Sequence, residues 1–470
     1  MNKFKEYFYL IFFLFFIIII TFYKVYSGDN VFVGGDTLSP IAFREAINQS
    51  LSNNLLYPLW FPWIFGGMPS IHSFINVSNC YFPHFIFLFL NNLGLPWVWN
   101  FLLHLIFSGI GMYSLLRYMK CTKYASLFSS SLFMISPYLV AMTSFGHGSQ
   151  IMSASYIPWI TLFLFKIYNK LNLINFSIFS LLIGLQLQRA HVQIAYYTWM
   201  LIGLYILFKN FNFIKNKSFE ILYLLKHNLI IFLSLLLGFL LSLNIYLPTL
   251  NYVKHSTRGA DSGGAGLEYA TQWSLSLKET ITFFIPSFFG FGGKLYWGDM
   301  PFTDYPNYYG LILLIFAFIG YFKSKINYDY KKFFLIVLIL SFCIALGENF
   351  ISFYKIFYYY FPFFNKFRVP VYILILTFFS LFVFTSFGID YSYQKIKKGT
   401  IKLNKFFICA SILLSALLCF FPLSSYLIAE LNLKHQMLNK LVFNDLIHSI
   451  IILFTFFTLI IIFMIKKSLS

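Results

Sequence analysis

Twelve apolar runs of about 20 residues occupy most of the sequence, and they constrain the fold more than any other feature. A run of this length crosses the roughly 30 Å hydrocarbon core of a bilayer as an α-helix. The runs lie near 7–26, 97–118, 124–142, 150–168, 173–190, 192–209, 228–247, 308–322, 333–347, 370–389, 406–422 and 447–465. Because 59% of the residues are hydrophobic and only 10% are charged, a soluble core could not bury this apolar surface. The sequence predicts an all-α polytopic membrane protein, a single integral membrane domain over residues 1–470 with about 12 transmembrane helices.

The basic residues fall mainly on one side of these spans. If the N-terminus is cytoplasmic and the spans alternate, 22 of the 34 Lys and Arg residues face the cytoplasm, with four of the 15 Asp and Glu residues. The inner face then carries a net +18 and the outer face +1. Loops rich in Lys and Arg stay in the cytoplasm. We therefore predict a multi-pass membrane protein with both termini in the cytoplasm. The net charge of +19 reports orientation in the lipid bilayer, and no nucleic-acid partner is expected.

Four longer segments face outside in this topology, at 27–96, 248–307, 348–369 and 423–446, and they hold most of the Gly, Pro, Trp and Asp residues. Function is therefore expected on the outer face. The spans themselves are almost free of ionisable groups, which argues against an ion-coupled transporter. His104 is an exception, and it is expected to be a hydrogen-bonded core histidine.

The first outer segment carries a carboxylate close to the membrane. Asp36 lies a few residues beyond the first span, and Ser39 followed by Pro40 is typical of a helix start. Apolar residues then recur every four positions from Phe43 to Leu55, which predicts an amphipathic surface helix in this loop. Asp36 either meets the polar head of a lipid-linked substrate or supports a turn.

Aromatic and histidine residues add further candidates. Trp60 and Trp63 lie in a segment rich in Pro and Gly, which fits either an interfacial anchor or an aromatic wall for a sugar ring. His147 stands between two glycines, where the sequence predicts a tight outer turn. A structural role and metal ligation are the two alternatives for this histidine.

Two basic clusters stand at outer helix ends. Arg189 and His191 lie where the fifth and sixth predicted spans meet, and Lys366 and Arg368 immediately precede the tenth. The planar guanidinium fork matches phosphate oxygens, so these residues are candidates to hold an anionic phosphate. The alternative for each cluster is an interfacial cation that anchors its helix.

Two more outer carboxylates, Asp299 and Asp304, lie in the second long segment. They are candidates to hold a metal or the acceptor together with Asp36, and solvated loop acids are the alternative. The sequence fixes no cofactor, and a divalent cation is the one candidate.

Four segments of the chain resemble the YfhO-like bacterial membrane proteins of the GT-C superfamily of integral membrane glycosyltransferases. They are Gly34-Gly-Asp36, Pro58-Leu-Trp-Phe-Pro-Trp-Ile-Phe-Gly-Gly-Met-Pro69, Gln188-Arg-Ala-His-Val-Gln-Ile-Ala-Tyr-Tyr197 and Phe364-Asn-Lys-Phe-Arg-Val-Pro370. The resemblance implies a GT-C fold and outer-facing chemistry on a polyprenyl-phosphate-linked sugar. It also implies that Asp36, which matches the aspartate of the first outer loop, is the catalytic carboxylate.

Three functions follow as hypotheses. The first is a membrane glycosyltransferase that moves a sugar from a polyprenyl-phosphate donor to an envelope glycan, polymer or lipid acceptor, with Asp36 as general base. The second is a flippase or exporter of lipid-linked glycans, which needs a continuous polar path. The third is a non-catalytic membrane protein of envelope assembly whose outer loops only bind.

Overall fold

The computed structural model describes residues 3–34, 43, 45, 47–50, 58–62, 66–73, 78–215, 221–255, 266–399, 420, 422–426, 429 and 435–468. Within these residues the protein is almost entirely α-helical. The strands found among them are a two-residue pair, β1 (Trp60–Phe61) and β2 (Met68–Pro69), which run antiparallel. The all-α class is confirmed.

The longer helices are apolar enough to cross a membrane. Within the described residues, eight helical segments have the length and composition of a membrane span: Phe4–Thr21, Trp99–Tyr118, Lys123–Ser144, Gly148–Asn169, Val192–Phe213, Ile221–Leu240, Pro370–Lys397 and Gln436–Thr455. A helix pair over residues 328–345 and 347–360, bent by 113°, raises the number to nine if the pair is one span. The protein is therefore a polytopic membrane protein.

Three of the 12 predicted spans are not among these helices. Two of them correspond to apolar helices of fewer than 18 residues, Leu173–Gln188 and Leu311–Lys323. The third, near 406–422, lies mostly outside the described residues. The number 12, the GT-C fold and the cytoplasmic location of both termini stay predictions. Residues 43, 45 and 47–50 are helical, while the rest of the predicted surface helix lies outside the described part of the chain.

The chain forms two compact units. The first unit comprises residues 1–120, 126–270 and 357–368, and the second comprises 121–125, 271–356 and 369–470.

The first unit is a helical bundle. Its helices in chain order are α1 (Lys3–Thr21), α2 (His84–Asn92), α3 (Trp99–Tyr118), α4 (Lys123–Met134, mostly in this unit), α5 (Pro137–Ser144), α6 (Gly148–Ala154), α7 (Ile157–Asn169), α8 (Leu173–Gln188), α9 (Val192–Lys215), α10 (Ile221–Leu240), α11 (Leu243–Val253) and α12 (Leu267–Thr271).

An antiparallel hairpin lies at the centre of this bundle. Helices α6 and α7 form one apolar segment, and a short connection through Asn172 joins it to α8. The Asn172 side chain caps α8 by accepting a hydrogen bond from the Asn175 N–H at 2.7 Å. A short connection between packed helices makes them run antiparallel. Helix α3 packs on α7, and the Trp159 indole lies against Gly111, where a Cβ would be 2.6 Å from the ring.

Two corners at the same end of this hairpin are shaped by left-handed backbone. Gly146, at φ 89°, ends α5 before α6 begins. Ala190, at φ 55°, separates α8 from α9. These corners place His147 and Arg189 at helix ends, as the sequence predicts.

The second unit contains α13 (Leu311–Lys323), α14 (Tyr328–Ala345), most of α15 (Ile351–Tyr360), α16 (Leu374–Lys397) and α17 (His435–Ser468). Its closest helix crossing uses glycine. A Cβ on Gly320 of α13 would lie 1.9 Å from the Phe384 carbonyl oxygen, and one on Gly388 of α16 would lie 1.9 Å from that of Phe316. Only glycine permits this approach of two backbones, a common device in membrane bundles.

Candidate functional site

Arg189 is a buried charged residue of the first unit. It follows α8 in helical conformation, at φ −73° and ψ −8°, and only 8% of its surface is exposed. Its Nε is buried and has no hydrogen-bond partner, and in the described part of the chain no carboxylate forms an ion pair with it. A buried charge without a partner is costly to maintain. Such a group in a membrane protein is a candidate ligand site.

The Tyr81 ring lies against this guanidinium. The Arg189 Cζ lies 4.6 Å from the ring centroid, a favourable cation–π contact. This contact uses the face of the ring and not the guanidinium N–H groups. Among the described residues, Arg189 is therefore held in place without a carboxylate partner.

The Tyr81 hydroxyl belongs to a chain of buried hydrogen bonds. It lies 2.8 Å from His104 Nε2 and 2.6 Å from the Tyr156 hydroxyl, and His104 Nδ1 lies 2.6 Å from the Asn100 carbonyl oxygen. A carbonyl only accepts, so Nδ1 carries the imidazole proton and Nε2 accepts from Tyr81. Tyr81 must then accept from Tyr156. The chain is complete, and the prediction that His104 is a hydrogen-bonded core histidine is confirmed.

Arg189 is the main positive charge in these surroundings. Burial, and then the charge of Arg189, lowers the pKa of His84 to about 4. Burial raises the pKa of Tyr81 to about 12, despite the opposing effect of Arg189. Burial also lowers the pKa of Arg189 itself, but a guanidinium stays protonated at neutral pH. At neutral pH the Tyr81 phenol and His84 are uncharged, so neither group brings a negative charge to Arg189.

Polar residues of α6 lie opposite polar residues at the end of α8, and we call these pairs the polar ladder. The innermost pair is Ser153 and Gln186. The Gln186 Nε2 donates to the Ser153 carbonyl at 3.0 Å and to Thr198 Oγ1 at 2.9 Å. Helix residues three apart share a face. Because the helices run antiparallel, helix geometry predicts that Gln150, three residues before Ser153, is level with Arg189, three residues after Gln186.

The outer rung of the ladder is His147 with His191, which are electrostatically coupled. Burial, and then the nearby His147, lowers the pKa of His191 to about 4. His191 Nδ1 accepts a hydrogen bond from the Ile194 N–H at 3.3 Å, at the start of α9. His147 precedes α6, and its carbonyl accepts from the Gln150 and Ile151 N–H groups. The predicted turn at His147 is confirmed.

The first outer segment approaches this end of the bundle. A Cβ on Gly34 would lie 2.7 Å from the Phe145 Cα, two residues before His147. Gly34 is the last described residue before the segment that contains Asp36. Asp36 and Trp63 both lie outside the described residues, so their catalytic and binding roles stay predictions.

Arg368, Lys366 and Trp60 lie in the same unit in different surroundings. Arg368 is half-buried, and its Nη1 donates to the Tyr269 hydroxyl at 2.7 Å, while its carbonyl accepts from Gln193 Nε2 at 2.6 Å. Lys366 is also half-buried. The exposed Trp60 ring covers Gly67, where a Cβ would lie 2.5 Å from the ring. Trp60 thus closes the β1–β2 turn.

Asp299 and Asp304 belong to the second unit. Asp299 forms an ion pair of 2.7 Å with Lys278, and both side chains are well exposed. The Asp304 backbone packs on Gly292. Among the described residues no group of three His, Cys, Asp or Glu side chains is placed to hold a metal ion. The predicted partnership of these two residues with Asp36 stays a prediction.

Three residues of this site are absent from the sequence-based candidates: Tyr81, Tyr156 and Gln150. Tyr81 and Tyr156 are two of 34 tyrosines in the chain, and no spacing distinguishes them. Their position becomes evident only where α3, α7 and the segment before α2 meet. Gln186 and Gln188 mark the sequence around Arg189 as polar, but they do not indicate which helix faces it.

Comparisons of this chain with family models, with curated proteins and with solved structures give no match. The fold and the site define the protein as a polytopic membrane protein with a buried arginine that has no ion pair among the described residues.

Proposed function

We propose that this protein is a membrane glycosyltransferase that takes a sugar from a polyprenyl-phosphate donor on the outer face of the bacterial cytoplasmic membrane. The acceptor is an envelope glycan, polymer or lipid. One observation carries the proposal: Arg189 is buried at a helix end of a membrane bundle, without an ion pair among the described residues. A lipid phosphate supplies the missing negative charge and reaches the site from the bilayer.

A phosphate suits Arg189 better than a simple anion does. The guanidinium presents several N–H donors in one plane and can bind two phosphate oxygens together. The Tyr81 ring fixes one face of the guanidinium, and the neutral Tyr156–Tyr81–His104 chain brings no competing negative charge. In low dielectric the attraction between guanidinium and phosphate exceeds that in water.

Arg189 acts on the leaving group in this proposal. The acceptor hydroxyl oxygen attacks the anomeric carbon, its proton passes to the Asp36 carboxylate, and the bond from the anomeric carbon to the phosphate oxygen breaks. The polyprenyl phosphate leaves with an added negative charge, which Arg189 stabilises. Arg368 and Lys366 are the further candidate phosphate contacts, and His147, His191 and Trp60 are candidates to line the donor site. Trp63 is another candidate to line the donor site. Asp299 and Asp304 are candidates to hold the acceptor or a metal.

Binding of farnesyl phosphate, a short prenyl phosphate, to the purified protein in nanodiscs tests the role of Arg189. Arg189→Lys keeps the charge and loses the fork, so we expect the Kd to rise about ten-fold, from the loss of about 1.5 kcal/mol. Arg117→Lys is the matched control, because Arg117 is paired with Glu6 at 3.1 Å and lysine can keep that ion pair. Equal Kd values for wild type and Arg189→Lys would contradict the assignment.

The exporter hypothesis is the second candidate, and the buried polar ladder from His147 to Thr198 supports it. An exporter moves a fluorescent lipid-linked glycan between leaflets of a proteoliposome without an acceptor. A glycosyltransferase consumes the donor only when an acceptor is present. Leaflet exchange without transfer would favour export.

A further inference from the structure

Gln150 in α6 is a glutamine with a buried side-chain amide. Only 1% of its surface is exposed, and among the described residues neither its Nε2 nor its Oε1 has a hydrogen-bond partner. Burying an unpaired amide is costly, so such groups are rare unless a ligand or water satisfies them. Two neighbouring atoms share this condition, Ser153 Oγ and Gln186 Oε1.

The ladder places this amide beside the anion site. The hydrogen bond from Gln186 to the Ser153 carbonyl fixes the register of α6 against α8. One turn further out, that register sets Gln150 opposite Arg189. The coupling of His147 to His191 agrees with the same register another turn out. From this register we expect the two groups, one neutral and one cationic, to lie on facing sides of α6 and the end of α8.

We propose that Gln150 determines specificity for the donor sugar by hydrogen bonding to two adjacent hydroxyl groups of the ring linked to the phosphate. The inference rests on the proposed function, because it takes the anion at Arg189 to be the donor phosphate. A glutamine amide carries an acceptor and a donor side by side. Adjacent hydroxyls match this pair, since one donates to Oε1 and the other accepts from Nε2. A trans acetamido group does not match it, because its N–H and C=O point in opposite directions.

The test compares three probes in nanodiscs: farnesyl phosphate, farnesyl-phosphoryl glucose, and the same glucoside with all ring hydroxyls methylated. For the wild type we expect farnesyl-phosphoryl glucose to bind about ten-fold more tightly than either other probe, as one or two hydrogen bonds to a buried amide imply. Gln150→Met keeps the size of the side chain and removes both polar atoms. We expect it to abolish the preference for glucose and leave the Kd for farnesyl phosphate unchanged.

Thermal stability provides a second measurement. Removing an unpaired buried amide should raise the melting temperature of Gln150→Met. Gln186→Met is the matched control, because the Gln186 amide donates two hydrogen bonds and its loss should lower the melting temperature. A fall in melting temperature for Gln150→Met as large as that for Gln186→Met would overturn the proposal, since Gln150 would then be a structural residue.

Gln150→Glu tests the placement independently of the sugar. A carboxylate level with Arg189 should pair with it and raise the Kd for farnesyl phosphate at least ten-fold. An unchanged Kd would show that Gln150 and Arg189 do not share a site, and would overturn the proposal.

The outcomes distinguish a wrong role for Gln150 from a wrong proposed function. If the wild type binds farnesyl phosphate and the glucoside equally, the role of Gln150 is wrong while the anion site stands. If the wild type binds neither probe, the proposed function falls, and the role of Gln150 falls with it. If Gln150→Met weakens both probes equally, Gln150 does not recognise the sugar.

Discussion

The Arg189 guanidinium lies 4.6 Å from the centre of the Tyr81 ring, in a cation–π contact. The contact fixes the position of a positive charge without cancelling it. The hydroxyl of the same tyrosine is not available to a ligand, because it forms hydrogen bonds with both Tyr156 and His104. Tyr81 thus joins Arg189 to the buried hydrogen bonds of the first unit.

Tyr81→Phe separates these two roles. Phenylalanine keeps the ring beside Arg189 but leaves His104 Nε2 without a donor and the Tyr156 hydroxyl without an acceptor. We expect a loss of about 1–3 kcal/mol in the free energy of unfolding and little change in the Kd for farnesyl phosphate. Thermal unfolding in detergent, together with binding, measures both effects. Tyr196→Phe, which removes one exposed bond to the Pro362 carbonyl, is the control and should cost less. A Tyr81→Phe protein as stable as wild type would contradict the hydrogen-bond chain.

The pH dependence of stability should reveal His84. The pKa of this residue is about 4 in the folded protein and about 6.5 in an unfolded chain. Between these values the unfolded chain binds more protons, so stability falls as the pH falls, by at most about 1.4 kcal/mol per pH unit. Above pH 6.5 the residue has no such effect. His84→Gln should therefore match wild type at pH 8 and lose less stability than wild type at pH 5. Parallel curves for the two proteins would contradict the lowered pKa.

The glycine crossing of the second unit predicts a large effect of small substitutions. Gly320→Ala places a methyl group within 1.9 Å of the Phe384 carbonyl oxygen, so α13 and α16 must separate. We expect a loss of at least about 2 kcal/mol, typical of overpacking. Gly203→Ala in α9 is the matched control, because nothing lies within 4 Å of its added Cβ, and it should gain up to about 1 kcal/mol from helix propensity. Similar melting temperatures for the two variants would count against the close crossing.

The sequence predicted the membrane class and most helices because apolar length is a local property. It also indicated Arg189 and His147, since a charge or a glycine pair at a span end stands out within its own segment. It did not reveal the breaks near Ile135 and Ser155, where apolar sequence continues across two helices. Tyr81, Tyr156 and Gln150 were missed for a related reason: their significance depends on which helix faces them, and that is a tertiary property.

The orientation of the protein in the membrane is a separate prediction. A reporter fused after Lys398 should be cytoplasmic, and one inserted between residues 259 and 266 should be external, as the excess of positive charge on one face implies. Alkaline phosphatase and green fluorescent protein fusions measure the two sides. Reversed signals would place the proposed site in the cytoplasm, where a donor on the outer face could not reach it.

Transfer by the purified protein in proteoliposomes tests the central claim most directly. The assay supplies a panel of polyprenyl-phosphate sugars and an envelope glycan acceptor, and compares wild type with Asp36→Asn. Asparagine keeps the size of the side chain and removes the basic carboxylate, so the variant should fold, bind farnesyl phosphate with an unchanged Kd, and transfer at least 100-fold more slowly, within the range of general-base effects. Turnover by wild type from at least one donor, lost in Asp36→Asn, is the predicted result. Equal turnover by the two proteins, or no turnover from any donor by a wild type that binds the probe, would contradict the account.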